Sequence, residues 1–214
     1  MSLHPTAPLR RARWYRRLQA RLLSAEYPPY AHAVDRWKRE LFGGLEGTVV
    51  EIGPGGGVNL RYFRPDVRWV GVEPNPYLHD VILERARELG RTAELRAGRA
   101  EALPFEDGSV DAVVSSLVLC SVGDLEAVLR EIRRVLRPGG RFAFVEHVAD
   151  PRGGGRARLQ RLVRPLWNLL ADGCSPDRRT WEAIRGAGFS AVEIEHFEVP
   201  IPVVAPHIAG FAVR

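Results

Sequence analysis

The nine residues Val49-Val50-Glu51-Ile52-Gly53-Pro54-Gly55-Gly56-Gly57 set an acid two positions ahead of a glycine-rich turn, at the end of an apolar β-branched run. Glycines let the backbone approach a ligand closely, and a helix that opens after such a turn offers free N–H groups. A nucleotide-type ligand suits that arrangement. Glu73 lies 22 residues after Glu51, at the end of the next β-branched run, where a carboxylate can accept both hydroxyls of a ribose. The dinucleotide fingerprint asks for glycine at position 58, and this chain has Val58. His147 falls just past a fifth run, at the edge where ligands bind in parallel sheets. Cys120 and Cys174 show neither metal-ligand spacing nor Cys-x-x-Cys, so no metal is expected and both read as pocket or core residues.

Short β-branched runs alternate with helical stretches over residues 47 to 147, the pattern of a parallel sheet covered by helices. Strands are expected at Thr48 to Ile52, Arg68 to Glu73, Ala93 to Ala97, Asp111 to Ser115 and Arg141 to Glu146, with helices between them. Leu125, Val128, Leu129, Ile132, Val135 and Leu136 recur at helical spacing, and Pro138-Gly139-Gly140 reads as a sharp turn into strand five. Residues 151 to 174 break the alternation with a helical insertion over the active edge. Ser175-Pro176-Asp177 reads as the cap of a short helix ending near Gly186 or Gly188. Ala191 to Val199 and His207 to Val213 then look like a hairpin pair.

At 214 residues, 45% hydrophobic and 27% charged, the chain has the size and composition of one soluble domain with a single core. Its longest uncharged stretches, Ala112 to Gly123 and Val199 to Val213, fall short of the roughly 20 apolar residues of a membrane helix. Arg10, Arg11, Arg13, Arg16, Arg17 and Arg21 crowd the N-terminus. Without those six, 25 basic residues face 26 acidic ones, which speaks against a nucleic-acid partner. No secretory leader is recognisable, so a reducing cytoplasm is expected. Leu9 to Leu23 places Trp14, Tyr15, Leu18 and Leu22 on one helical face among arginines, a pattern shared by a peripheral membrane contact, a lid over the ligand and a packed helix.

Glu-x-Gly-x-Gly-x-Gly resembles the loop of class I S-adenosylmethionine-dependent methyltransferases. The runs Ser115-Ser116-Leu117-Val118-Leu119-Cys120-Ser121-Val122, Arg137-Pro138-Gly139-Gly140, Glu146-His147-Val148, Trp167-Asn168-Leu169-Leu170-Ala171-Asp172-Gly173-Cys174 and Pro206-His207-Ile208-Ala209-Gly210 resemble the mammalian methyltransferase-like alkyl thiol S-methyltransferases, from about Tyr30 to the C-terminus. The resemblance implies an α/β, Rossmann-like fold: a mostly parallel seven-stranded sheet with an antiparallel C-terminal strand and helices on both faces. Residues 1–42 would form a helical cap and 43–214 the methyltransferase domain. Implied contacts to S-adenosyl-L-methionine are Glu51, Gly53, Gly55, Gly57, Glu73, Pro74, Asn75, Ala100, Glu101, Ser116 and Leu117. Arg99 stands where the family more often has an acid. The mammalian relatives carry an N-terminal membrane-anchoring segment, replaced here by the arginine-rich stretch.

The chemistry so implied is one direct displacement on a small-molecule acceptor, thiolate attacking methyl. A thiol like that of cysteine has a pKa near 8.5, so something must help to remove its proton. His147 is the first candidate base, and the resemblance adds Asp172 and His207. Another reading keeps the cofactor and changes the acceptor to a quinone carbon, a phospholipid amine or a natural-product hydroxyl. Ser115-Ser116-Leu117-Val118 lacks the Asn-Pro-Pro-Tyr type motif used on nucleic-acid or amide nitrogens. A non-enzyme reading is a module that docks to membrane or nucleic acid through its basic N-terminal helix.

Overall fold

The computed structural model describes residues 13–24 and 27–214, so Leu9 to Ala12, with Arg10 and Arg11, lie outside the described residues. Helices α1 (Arg13–Ser24) and α2 (Pro28–Gly43) precede β1 (Thr48–Ile52), a 3-10 turn (Val58–Tyr62), β2 (Arg68–Val72), α3 (Pro76–Glu88) and β3 (Glu94–Arg96). Then come β4 (Val110–Ser116), α4 (Leu125–Val135), β5 (Leu136–His147), α5 (Gly154–Leu170), α6 (Thr180–Gly186), β6 (Ala191–Glu198) and β7 (Pro206–Val213). The seven strands lie in the order β3-β2-β1-β4-β5-β7-β6. Strands β1 to β5 pair in parallel, and β7 runs antiparallel between β5 and β6. Strand order reverses between β1 and β4, which opens a crevice at their carboxyl ends.

Both sheet faces are covered, so the central strands are buried over most of their length rather than alternating. Val49, Trp69, Val114 and Val145 pack with Phe42 of α2, Leu60 of the 3-10 turn, and Leu78 and Ile82 of α3. On the opposite face Val50, Ile52, Val113, Phe142 and Phe144 meet Val128, Leu129, Ile132 and Val135 of α4, with Trp181 and Ile184 of α6. Asp124 caps α4, its Oδ1 accepting from Ala127 N at 2.9 Å.

Several local expectations are corrected. Between β1 and β2 there is only the five-residue 3-10 turn, because Asn59, Leu60 and Tyr62 all turn inward. Between β3 and β4 the chain runs as a loop, which Arg134 anchors through the carbonyls of Leu103 and Phe105. Pro138-Gly139-Gly140 is taken into β5: Val110 pairs with Leu136 and Ala112 with Arg141, so β5 carries three more residues than β4 over that interval. Ser175-Pro176-Asp177 caps no helix. Arg178 N closes a turn onto Ser175 O while Ser175 N is drawn to Cys120 O, and α6 starts at Thr180.

Gly210 sits where β7 passes closest to β6, and a Cβ there would overlap the Glu193 carbonyl oxygen. Gly210→Ala is therefore expected to destabilise the fold by about 3 kcal/mol, the upper range for overpacking, and thermal unfolding followed by circular dichroism would show it as a lowered Tm.

Candidate active site

Gly53, Gly55 and Gly57 have φ of 57°, 56° and 71°, in the left-handed region that favours glycine. Gly53 N donates to Val72 O at 2.9 Å, which ties the turn to β2. A Cβ on Gly53 would stand 2.9 Å from Val118 Cγ2, so the glycine loop also touches the loop after β4. Glu51 faces the core below this loop. Its Oε1 accepts from Asn59 Nδ2 at 2.7 Å and its Oε2 from Trp69 Nε1 at 2.9 Å, while Lys38 Nζ donates to Asn59 Oδ1 at 2.7 Å. Burial pushes the Glu51 carboxyl up in pKa, against those hydrogen bonds and Lys38. Glu51 thus holds the loop from beneath.

Glu73 follows β2 directly and is 5% exposed. Its Oε1 accepts from Asn75 N at 2.8 Å and its Oε2 from Gly55 N at 3.3 Å. Each carboxylate oxygen has two lone pairs, so both keep capacity for a ligand hydroxyl. Burial raises this carboxyl to about 6, the Asn75 and Gly55 N–H groups opposing and Asp172 adding to the rise. Asn75 also caps α3, accepting from Tyr77 N at 3.2 Å. Helix α1 lies across this corner. Arg16 donates to Pro74 O, Asn75 Nδ2 to Arg16 O at 3.0 Å, Arg13 Nε to Tyr77 Oη at 3.3 Å, and Tyr15 Oη to Leu169 O at 3.2 Å. Ala100 packs on the core, and the Glu101 carboxylate is engaged by Arg99 and by Gly123 N at 3.0 Å.

Ser116 ends β4, and Leu117 then adopts φ 60°, strained for a branched side chain, its N–H held by Val145 O at 3.1 Å. The next two N–H groups, of Val118 and Leu119, donate to the Glu146 carboxylate at 3.1 and 3.2 Å. Glu146 is fully buried and its carboxyl is pushed up to about 7 by burial. Arg178 completes the clamp on this loop through Leu119 O at 2.7 Å and Val122 O at 2.9 Å.

Past the clamp, Cys120 Sγ, His147 Nε2 and Cys174 Sγ lie within 4.8 Å of one another, all buried. His147 Nε2 meets Cys174 Sγ at 2.8 Å, and Trp167 Nε1 donates to the same sulfur at 3.1 Å. Asp172 and Gly173, with φ of 47° and 82°, form the left-handed turn that ends α5 and delivers Cys174. His207 pairs with His147 across β5 and β7, ring centroids 6.1 Å apart. His207 Nδ1 lies 3.2 Å from Ala205 O, and a carbonyl only accepts, so Nδ1 carries the hydrogen and Nε2 the lone pair. Burial, with His147 nearby, lowers His207 to about 3 and keeps it neutral. Tyr30 Oη, His147 Nδ1 and His207 Nε2 are buried with no hydrogen-bond partner among the described residues, and the Tyr30 and His207 rings are 5.6 Å apart.

The sequence-predicted residues thus form two adjoining groups. Glu73, Pro74, Asn75 and the three glycines line one corner, with Asp172 close enough to act on Glu73; Ser116, Leu117, His147 and His207 belong to the other. Tyr30, Glu146, Trp167 and Arg178 were not singled out for roles at the site. Glu146 sits one residue before His147 in a β-branched strand, and a lone acid in an apolar run was the signal available for it.

The donor set suits the cofactor implied by the glycine loop: a turn of three glycines in left-handed conformation, and beside it a carboxylate with open lone pairs. A methyltransferase domain family model matches residues 50–144. The chain is 38% identical to thiol S-methyltransferase TMT1A of Homo sapiens over 190 residues, 83% of this chain and 78% of that protein. It is 36% identical to thiol S-methyltransferase TMT1B of Homo sapiens, over 90% of this chain and 88% of that one. Among solved structures, geranyl diphosphate C-methyltransferase from Streptomyces coelicolor A3(2), in complex with S-adenosyl-L-homocysteine, superposes with a TM-score of 0.69 at 18% identity, covering 94% of this chain and 98% of that one. The [4+2]-cyclase SpnF gives 0.70 at 19% identity, covering 89% and 83%. From the glycine cradle and Glu73 to the matched relatives, the chain belongs to the thiol S-methyltransferase family of S-adenosylmethionine-dependent methyltransferases.

Proposed function

We propose that the protein methylates the sulfur of a small alkyl thiol or sulfide. The observation that carries this reading is the set of buried polar atoms without partners, Tyr30 Oη, His147 Nδ1 and His207 Nε2, beside the glycine loop's own neighbour, the loop of residues 117–122. Buried polar groups are normally paired, so such a set suits a ligand that brings its own polar atom. The bound cofactor supplies an activated methyl group on a positively charged sulfur, and that charge is lost on transfer. A dry pocket favours such a step, because water stabilises the separated charges more than the half-neutralised transition state. Glu73 and the glycine turn would orient the cofactor, and α1 would exclude water above it. His207 Nε2, a fixed lone pair held neutral by burial, would accept a hydrogen bond from the incoming S–H; Tyr30 Oη would donate to the developing thiolate. We assign activation of the thiol to His147, with Asp172 closing the cofactor corner.

No described helix is long and apolar enough to cross a membrane, and the hydrogen bonds of α1 to Asn75, Tyr77 and Leu169 favour the lid among the roles open to that segment. Two free cysteines suit a reducing cytoplasm.

The test is S-adenosylhomocysteine release with sulfide, alkyl thiols, phenols, amines and a lipid-soluble quinone as acceptors. Turnover confined to the sulfur compounds is expected. Turnover on phenols, amines or quinone with none on thiols would sink the thiol assignment.

A further inference from the structure

Cys120, His147 and Cys174 come from three separate places in the chain: the loop after β4, the end of β5 and the turn after α5. Each is held independently of the others. The loop carrying Cys120 is clamped by Glu146 and Arg178, His147 by its strand pairing with His207, and Cys174 by Asn168 Nδ2, which donates to Gly173 O at 2.7 Å. The result is two sulfurs and one imidazole nitrogen converging from three directions, buried, within 4.8 Å of one another. A protein without use for a ligand here would more simply fill the space with apolar side chains.

Two thiolates and an imidazole are the donor set of a soft divalent cation of the zinc class. With metal–sulfur bonds of about 2.3 Å and a metal–nitrogen bond of about 2.0–2.1 Å, a tetrahedral site has ligand-to-ligand edges of about 3.6–3.8 Å. The 4.8 Å span of the cluster encloses such a triangle. The His147–Cys174 edge, at 2.8 Å, would open by about 0.8 Å, within reach of a small side-chain rotation. The Trp167 N–H on Cys174 Sγ at 3.1 Å is the kind of outer contact that orients a thiolate ligand. Three protein ligands leave the fourth position open, which is the catalytic rather than the structural form of such a site.

We propose that Cys120, His147 and Cys174 bind a divalent cation of the zinc class, and that its open position takes the sulfur of the acceptor. The cation site stands on the three side chains; the occupant of the fourth position rests on the thiol reading above. Binding would break the acceptor's S–H bond, release the proton to solvent and form a sulfur–metal bond, since a coordinating thiol is deprotonated outright. An electron pair of that sulfur then forms the new S–C bond, the sulfonium S–C bond breaks onto its own sulfur, and the uncharged thioether leaves the metal. No oxidant or reductant is needed.

The full chain, expressed with zinc supplied and dialysed under reducing conditions, is expected to retain about one zinc per chain by elemental mass spectrometry, the stoichiometry of a single such site. Replacement by cobalt(II) should give thiolate-to-metal charge-transfer bands and the visible bands of a tetrahedral ion, and an alkyl thiol should shift the latter. Cys120→Ser and Cys174→Ser should each weaken metal binding by about 100-fold or more while still binding S-adenosylmethionine, which shows that they fold. Metal-free protein that methylates thiols at full rate in the presence of a chelator would overturn the metal's part in the reaction, and protein that retains no zinc and gives no cobalt bands would overturn the metal site and leave the thiol reading standing. A Cys120–Cys174 disulfide in place of metal would overturn it equally. Cobalt bands indifferent to thiols, in an enzyme that does methylate them, would overturn the open-position assignment alone.

Discussion

Replacing Glu73 by alanine is expected to weaken S-adenosylmethionine binding by about 100-fold to 10,000-fold while leaving the fold in place. The carboxylate is 5% exposed and ionised, and two ribose hydroxyls donating to it would each contribute about 1.5–3 kcal/mol, the range for hydrogen bonds to a charged group. Together they amount to about 3–6 kcal/mol, and each 1.4 kcal/mol is a factor of ten. The same site gives a pH signature. Burial raises the Glu73 carboxyl to about 6, so the proton-bound form, a poorer acceptor, accumulates as pH falls through that value. Wild-type affinity should be level above about pH 7 and fall by up to tenfold per pH unit well below about 6. Glu73→Gln should start weak and show a much flatter pH dependence. Isothermal calorimetry across that range checks both; an alanine variant binding as well as wild type would remove Glu73 from the cofactor site.

Replacing His147 by alanine is expected to lower the rate of thiol methylation by about 100-fold to 10,000-fold, the span for losing a group that helps to remove the acceptor's proton, with cofactor affinity unchanged. His147 lies at the end of β5 beside Cys174, whereas the cofactor cradle proposed above is the turn after β1 with Glu73 after β2. The variant must rely on thiolate already present in solution. Its residual rate should therefore climb with pH up to the acceptor's own pKa, near 8.5 for a cysteine-like thiol. An acidic aryl thiol, largely ionised at neutral pH, should recover much of the lost rate. Single-turnover measurements with an alkyl and an aryl thiol decide this: equal loss on both would mean that His147 shapes the pocket and does not activate sulfur.

The parts of the fold that local pattern dictates were legible in the chain. Thr48 to Ile52 is a strand because it is β-branched and buried on both faces, and the helix read from the spacing of Leu125 through Leu136 is α4, one residue shorter than its pattern at the C-terminal end. Glu73 stood out in the chain because a single acid ends a strand where the topology opens a crevice; its place in the cofactor site is the proposal that the alanine variant tests. What was not legible comes from contacts that no local window contains. Glu51 turns inward because Asn59 and Trp69, eight and 18 positions further on, offer donors beneath the sheet. Ser175 caps no helix: its Oγ accepts from Asn168 Nδ2 at 3.4 Å and its N–H is tied to Cys120 O, both partners distant from any local window. The sulfur and imidazole cluster was invisible for the same reason: Cys120, His147 and Cys174 stand 27 residues apart in each step, and the β4–β5 pairing, the turn at Asp172-Gly173 and the hydrogen bond from Ser175 N to Cys120 O bring them together. Tyr30, on α2, reaches His207 through tertiary packing and carried no signal of its own.

The measurement that bears most directly on the central claim is the fate of a deuterium-labelled methyl group. Wild-type protein would be incubated with S-adenosylmethionine labelled in that group and with an acceptor that carries both a thiol and a hydroxyl, and the products resolved by mass spectrometry. The account predicts the label on sulfur, as a thioether, formed in step with S-adenosylhomocysteine and lost in Glu73→Ala. Label on oxygen, with the thiol untouched, would contradict it.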